Sequence, residues 1–317
     1  MATATATVPV SPALVPWCRI VESRGRVLVE HGETVVTFEG GAAELLLPAL
    51  LPLLDGTRPV DEIVETLGRP IAPAVLTALS LLAENGLLAD GPQSATDGAT
   101  MSASFVAEAG LVPSIGRAAE AIRIATVAVV GTGPAASETA RQLEDAGIGQ
   151  VERTDFDDDI VGSFVVAAPS PAEAPELEAL NARRLESRDP WLQILPFDGR
   201  LVVVGPVFLP RQSACRTCYA LRRAATCGYE EDFEVVERTP VRAASPLAIS
   251  AVAAGLASVL TLRWLSSCDP SIPGTLYTFE HGSILRVGHH RVLRVPRCPS
   301  CGLQARALPA LWADERP

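Results

Sequence analysis

Four of the chain's cysteines arrive as two Cys-x-x-Cys pairs, Cys215/Cys218 in "CRTC" and Cys298/Cys301 in "CPSC", on either side of an apolar segment. Each pair sets two thiolates within reach of one cation, and two such knuckles supply the four sulfurs that tetrahedral Zn²⁺ takes in structural sites. Four protein ligands leave no position for water, so the metal would fix the fold around it without performing hydrolysis. Disulfides and free thiols are the competing readings. The first residues lack a basic stretch before an apolar core, so no secretory signal is read and a reducing cytoplasmic setting is expected, which favours zinc. Cys18, Cys227 and Cys268 fall outside both pairs and are expected to be buried small hydrophobes.

A second constellation is G-x-G-x-x-A, formed by Gly131, Gly133 and Ala136 behind the apolar run Ile124–Val130 and ahead of an amphipathic helical stretch, with Asp155 at the end of the following strand. Such a turn can cradle a phosphate on helix N-terminal amides while the acid bonds a ribose hydroxyl. Pro134 removes one of those amides, and the same glycines serve equally well simply to make a tight strand-to-helix turn. All 26 basic residues are arginine. A mechanism that needs a lysine, as phosphate ligand or Schiff base, is therefore excluded.

These residues need elements to position them. From Trp17 to Phe38, short β-branched runs separated by turn residues at Ser23–Gly25 and His31–Gly32 predict an antiparallel meander. Helical periodicity follows in Gly41–Leu54, Val60–Leu67 and Ala74–Glu84, with Thr57 as a candidate N-cap and Asn85–Gly86 as a helix stop. Residues 1–90 thus read as a winged-helix-like module. Asp90–Ser104 is poor in large apolar groups and reads as linker, with 91–120 joining the halves through a lead-in helix. Residues 121–317 read as α/β: strands at Ile124–Val130, Val151–Asp155 and Ser163–Ala168 start a βαβ unit with parallel strands, and more are expected at Leu192–Leu195, Leu201–Val204, Leu276–Phe279 and Ile284–Val287.

The composition, 48% hydrophobic over 317 residues, suffices for two cored domains. A net charge of −11 without a basic face argues against a nucleic-acid partner. Pro246–Leu262 is apolar but rich in Ala, Ser and Gly, shorter than a membrane span requires, and reads as a core helix, so no membrane partner is expected.

"VVGTGPAASETARQLEDAGIGQVERTDFDDD", then "FVVAAPS", then the distant knuckles, resemble the ThiF/MoeB family of ubiquitin-activating-type folds. The resemblance implies that Asp155 and Asp157, matching the family's Asp-x-Asp, bind ribose and metal. It also exposes losses. The family's adenylation uses an asparagine-arginine segment after that strand and a lysine beside the phosphates; here the chain passes from Asp159 almost directly to the next strand and has no lysine. Pro169 and Ser170 stand where the family usually has an acid. Cationic donors to a departing pyrophosphate are worth several kcal/mol each, so Gly131, Gly133, Asp155 and Asp157 read as a vestigial nucleotide site, with ATP not expected on this chain.

With the N-terminal module, the strings "DGTRPVDEIV", "GPVFLPRQSACRTCYALRRAA" and "VPRCPSCG" resemble the Ocin-ThiF-like proteins of ribosomal peptide biosynthesis, leader-binding cyclodehydratase partners of thiazole/oxazole-modified products. The resemblance implies a catalytically silent partner that delivers a precursor to a YcaO-type ATP-dependent cyclodehydratase. The leader peptide would add as a strand to the small sheet, at Thr34, Val35, Val36, Thr37 and Phe38, with its apolar side chains beside Leu76, Leu79, Ser80 and Ala83 of the third helix. Val35 and Phe38 are taken as one face, Thr34 and Val36 as the other. For each apolar position, ordinary core packing is the competing reading. Relatives of this fold often pair, so a homodimer is also implied.

Three other functions compete with this one. An active adenylating enzyme would have to use Arg141 or Arg153 as its cation. A nicotinamide-dependent oxidoreductase lacks an acid/base set, since His281, His289 and His290 read as part of an exposed turn region. A winged-helix DNA regulator conflicts with the acidic balance and the absence of Arg in Ala74–Glu84.

Overall fold

The computed structural model describes residues 7–92, 97–112, 114–157, 160 and 164–302. Contacts divide the chain into two compact units: the residues up to Arg123 with Leu265–Ser267, and Ile124–Trp264 with the residues from Cys268 onward.

In the first unit, β1 (Pro12–Leu14) precedes the predicted meander of β2 (Arg19–Ser23), β3 (Arg26–His31) and β4 (Thr34–Glu39), which forms a three-stranded antiparallel sheet in the order β2-β3-β4. Its two-residue side-chain period turns Val27 and Val29 of β3 inward opposite Phe38 and Val36 of β4. A helical stretch follows, a wide turn at Ala42–Leu46 leading into α1 (Leu47–Leu50) and a 3₁₀ turn at Leu51–Leu53, and then α2 (Val60–Leu67) and α3 (Ala72–Glu84). Leu47, Leu50, Ile63, Val75, Leu79 and Leu82 join the sheet residues in one core. After α3, β5 (Leu88–Asp90) pairs with β1, a ladder the sequence pattern did not show.

Two expectations change here. Thr57 does not cap α2, whose N-cap is Pro59; three residues ahead of the helix, its backbone N–H and hydroxyl donate instead to Asp55 at 2.9 and 2.6 Å. The segment read as linker carries α4 (Gly98–Glu108), capped by the Asp97 carboxylate accepting from the Thr100 N–H at 3.0 Å. Its small residues Ala99, Ser102 and Ala103 are buried, so they permit close packing rather than solvation. The following α5 (Ile115–Ile124) buries Ile115, Ala118, Ala119 and Ile122 at helical spacing.

The second unit is built on a seven-stranded sheet. Its parallel half comprises β6 (Thr126–Val130), β7 (Gln150–Thr154), β8 (Phe164–Ala167) and β9 (Trp191–Leu195), connected through α6 (Pro134–Asp145) and α7 (Glu176–Ser187). The antiparallel half adds β10 (Leu201–Phe208) and, after α8 (Arg216–Ala224), α9 (Phe233–Arg238) and α10 (Leu247–Ser267), the strands β11 (Thr275–Glu280) and β12 (Arg286–Arg291). Strand order is β12-β11-β10-β9-β8-β6-β7. Trp191 and Phe208 stack at 4.6 Å inside the core.

The last strand begins two residues later than expected, so His289 and His290 lie in an exposed edge strand rather than a turn. α10 runs 21 residues, longer than expected, and by length and composition is the one helix among the described residues able to cross a membrane. The helix runs past the expected end at Arg263 and stops at Cys268, a left-handed C-cap whose N–H donates to the Trp264 carbonyl. Its buried face is small, with Ala253, Ala254, Ala257 and Ser258.

Candidate metal centre and glycine turn

Cys215 is the N-cap of α8 and Cys218 lies on its first turn, so the start of the helix sets both sulfurs side by side. Cys298 and Cys301 flank Pro299–Ser300 in a knuckle closed by the Gly302 N–H donating to the Cys298 carbonyl at 2.8 Å. The turn requires that glycine, because a Cβ there would fall 2.5 Å from the same carbonyl oxygen. The two knuckles meet. Cys215 Sγ lies 3.8 Å from Cys218 Sγ and 3.6 Å from Cys298 Sγ, and Cys218 Sγ lies 3.4 Å from Cys301 Sγ. All four sulfurs fall within 4.8 Å of one another. Zn–S bonds of about 2.3 Å in a tetrahedron put sulfurs ~3.8 Å apart, so the set fits this metal.

The chemistry of the donors agrees. Burial beside other sulfurs drives the Cys215 thiol pKa upward. For Cys298 burial acts in the same direction, but the backbone N–H groups of Cys301 and Ser300 and the neighbouring sulfurs outweigh it and draw the pKa down. The Val295 N–H donates to Cys218 Sγ at 3.3 Å and so orients that sulfur. A bound dication would convert this buried sulfur cluster into a set of charged ligands and join α8 to the segment after β12. The remaining cysteines depart from expectation: Cys18 and Cys227 are half-buried and Cys268 is exposed at the left-handed C-cap of α10, with φ 49°.

The glycine turn lies where β6 enters α6. Gly131 has φ 123°, and a Cβ there would sit 2.4 Å from the Ala168 carbonyl oxygen, so only glycine allows this close approach of backbones. The Gly131 N–H donates to the Thr154 carbonyl, and Pro134 at the helix start offers none. The Thr132 N–H and hydroxyl donate to the Glu173 carboxylate at 3.1 and 3.0 Å. That carboxylate also accepts from the Ser170 N–H and hydroxyl at 2.8 Å each. A side-chain anion of the protein itself therefore takes the Thr132 amide of this turn, while Gly133, Pro134 and Ala135 line an adjoining cleft with Pro169 and Ser170. Asp155 and Asp157 are exposed just after β7.

Sequence reasoning missed Glu173. Its signal was legible: Ser170-Pro171-Ala172-Glu173 is an S-x-x-E capping box, which the structure forms. Burial raises the Glu173 pKa, but the N–H donors of Ser170 and Thr132 and their hydroxyls prevail and hold it below the usual carboxylate range. A depressed native pKa gives stability that is complete above about pH 4.3 and lost as pH falls through the native value. Glu173→Gln is expected to lose about 1–2 kcal/mol at neutral pH. Chemical denaturation of both proteins from pH 7 downward should show the gap closing below about pH 4; a gap independent of pH would refute the assignment. The arginines weighed as substitute cations remain on the surface: Arg141 pairs with Glu138 and Asp145 at 2.6 Å each, and Arg153 is exposed.

In the first unit, the proposed face pairing of Val35 with Phe38 is corrected by the strand period. Thr34, Val36 and Phe38 share one side, with Val36 and Phe38 buried; Val35 and Thr37 share the exposed other side. On α3, Leu79 and Ala83 are buried, Ser80 is half-buried and Leu76 is exposed. Val35, Thr37 and Leu76 thus present surface, whereas Val36, Phe38, Leu79 and Ala83 pack the core. Among the described residues β4 pairs only with β3, leaving its other edge open.

No protein-family model matches the sequence, and no curated protein matches it either. Solved structures do. The heterocyclase TruD is similar at TM-score 0.65 and 22% identity over 93% of this chain, which spans 43% of the TruD chain. The Microcin C7 biosynthetic enzyme MccB in complex with N-formylated MccA is similar at TM-score 0.61 and 13% identity, over 92% of this chain and 99% of that one. E. coli MccB with ATP gives TM-score 0.61 and 12% identity over the same shares. Across more than nine-tenths of its length, this chain has the fold of these proteins.

Proposed function

We propose that the chain is a non-catalytic, leader-peptide-binding partner in ribosomal peptide modification, delivering a precursor to a YcaO-type cyclodehydratase that forms azoline rings with ATP. One observation carries the reading: the chain has the fold of the heterocyclase TruD along 93% of its length, yet ties the Thr132 amide of its glycine turn to its own Glu173 and has no lysine. The chain spans 43% of the TruD chain, so the cyclodehydration step is assigned in this reading to the YcaO-type enzyme.

In this reading the first unit is a winged-helix-like recognition element. The open edge of β4 accepts the leader as an added strand, main-chain bonds giving affinity and side-chain pockets giving selectivity. Val35, Thr37 and Leu76 touch the peptide directly, whereas Thr34, Val36, Phe38, Leu79, Ser80 and Ala83 shape the strand and helix that receive it. Holding the leader raises the effective concentration of the core peptide at the enzyme. The cysteine site carries structural zinc, the protein works in the cytoplasm, and two copies associate through the second unit. Fluorescence polarisation of a labelled leader from the co-encoded precursor should show saturable binding to the purified chain without ATP; absence of binding sinks the reading.

A second reading is supported by the likeness to MccB with ATP: an adenylating enzyme acting on a peptide carboxylate through Gly131, Gly133, Asp155 and Asp157. ATP–pyrophosphate exchange separates the two.

A further inference from the structure

A half-open basin of ≈ 940 Å³ lies in the second unit, outside the glycine turn and the sulfur cluster. Its floor includes Leu201 and Val203 of β10 and Leu276 and Thr278 of β11, and α8 and α9 contribute walls. In a protein of net charge −11, this wall gathers five guanidiniums, from Arg200, Arg216, Arg222, Arg223 and Arg291, against two carboxylates, Asp198 and Glu237.

The pairing of those arginines is uneven. Arg200, Arg216 and Arg223 pair with Glu280, Glu178 and Glu237 at 2.5, 3.0 and 3.1 Å. Arg222 and Arg291 bond only neutral oxygens among the described residues. The Arg222 Nε and Nη2 donate to the carbonyls of Leu293 and Arg294, and the Arg291 Nη1 donates to the Ser271 carbonyl and the Thr275 hydroxyl. Each guanidinium is thereby oriented while keeping donors unused: Nη1 of Arg222, and Nε and Nη2 of Arg291. The Arg216 Nε is buried without a partner. Cations whose positions are fixed by neutral backbone, beside a buried unmet donor, form a preorganised receptor for carboxylates.

We infer that this basin binds an acidic peptide segment, its carboxylates on Arg222 and Arg291 and its apolar side chains against the Leu201–Leu276 floor. The dimensions match: the volume lies within the range of pockets that enclose ligands of several residues, and the floor is apolar between the cations. A small phosphate ligand fits less well, because Arg222 and Arg291, the two guanidiniums not paired with a carboxylate, come from separate elements, α8 and β12, and the floor of the basin is apolar.

The test uses the full chain and a fluorescein-labelled peptide of about ten residues alternating Glu and Leu, read by anisotropy. Saturable binding that weakens with salt is expected, with at least tenfold loss, about 1.4 kcal/mol, in the Arg222→Gln/Arg291→Gln double variant. Should that variant fold poorly by thermal unfolding, Arg200→Gln at a 75% exposed side chain serves instead, with a severalfold loss expected. Arg69→Gln, in the 3₁₀ turn between α2 and α3, removes one charge as Arg200→Gln does and should leave affinity unchanged. The inference is overturned by equal binding of the peptide with Gln in place of Glu, by no binding, by equal losses in Arg69→Gln and the basin variants, or by displacement with inorganic phosphate or ATP at lower concentrations than with unlabelled peptide. The leader-binding proposal is untouched by any of these results, since its probe is the leader itself.

Discussion

Cys298→Ser empties the metal site and unfolds the end of the second unit. The wild-type protein should purify with close to one equivalent of zinc by mass-spectrometric metal analysis, and the variant with little. The effect is large because the sulfurs lie 3.4–3.8 Å apart in a buried cluster that brings α8 together with the segment after β12. Zinc binding of this kind supplies on the order of 10 kcal/mol or more to folding in small sites, only part of which is lost globally when a larger core remains. A sizeable fall in the unfolding temperature is expected, together with the same fall when wild type is stripped by a chelator. Under half an equivalent in the wild-type protein contradicts a structural zinc site.

The second large effect concerns the first unit. Leu76→Glu is expected to weaken leader binding at least tenfold, about 1.4 kcal/mol, without altering the unfolding temperature. The two outcomes can be separated because Leu76 is 47% exposed and contributes little to the core. Leu79, one turn along on the same helix and 0% exposed, provides the contrast: Leu79→Ala should cost about 2–5 kcal/mol of stability through the cavity it leaves. Val35, 52% exposed on β4, should behave like Leu76 when changed to Glu. Unchanged polarisation titrations with Leu76→Glu and Val35→Glu would remove this face from the peptide site.

The parts legible in the sequence are those whose physics is local. The fully buried β6 announces itself as an unbroken apolar run, and the glycine turn follows because Gly131 must take a positive φ against the Ala168 carbonyl. The two knuckles declare four ligands, though only folding brings residues 83 apart in the chain into contact. What escaped depends on tertiary context. β12 is expected at Ile284–Val287 but runs Arg286–Arg291: its exposed side chains give no alternation to fix its bounds. α4 is built from small residues that favour neither linker nor helix until Asp97 caps them. Arg222 and Arg291 of the basin sit in "CYALRRAA" and "GHHRV", where nothing in spacing shows that α8 and β12 bring them to one cavity. On β4, taking Val35 and Phe38 as one face ignored the two-residue period that sends Phe38 inward and Val35 outward.

The central claim is that this chain has the fold of E. coli MccB, a protein solved with ATP, while its own Glu173 takes the Thr132 amide of the glycine turn. ATP–pyrophosphate exchange by the purified chain, with its precursor peptide present, tests this most directly. No exchange above the protein-free blank is predicted. Exchange that depends on the precursor and disappears in Asp155→Ala and Asp157→Ala would contradict it.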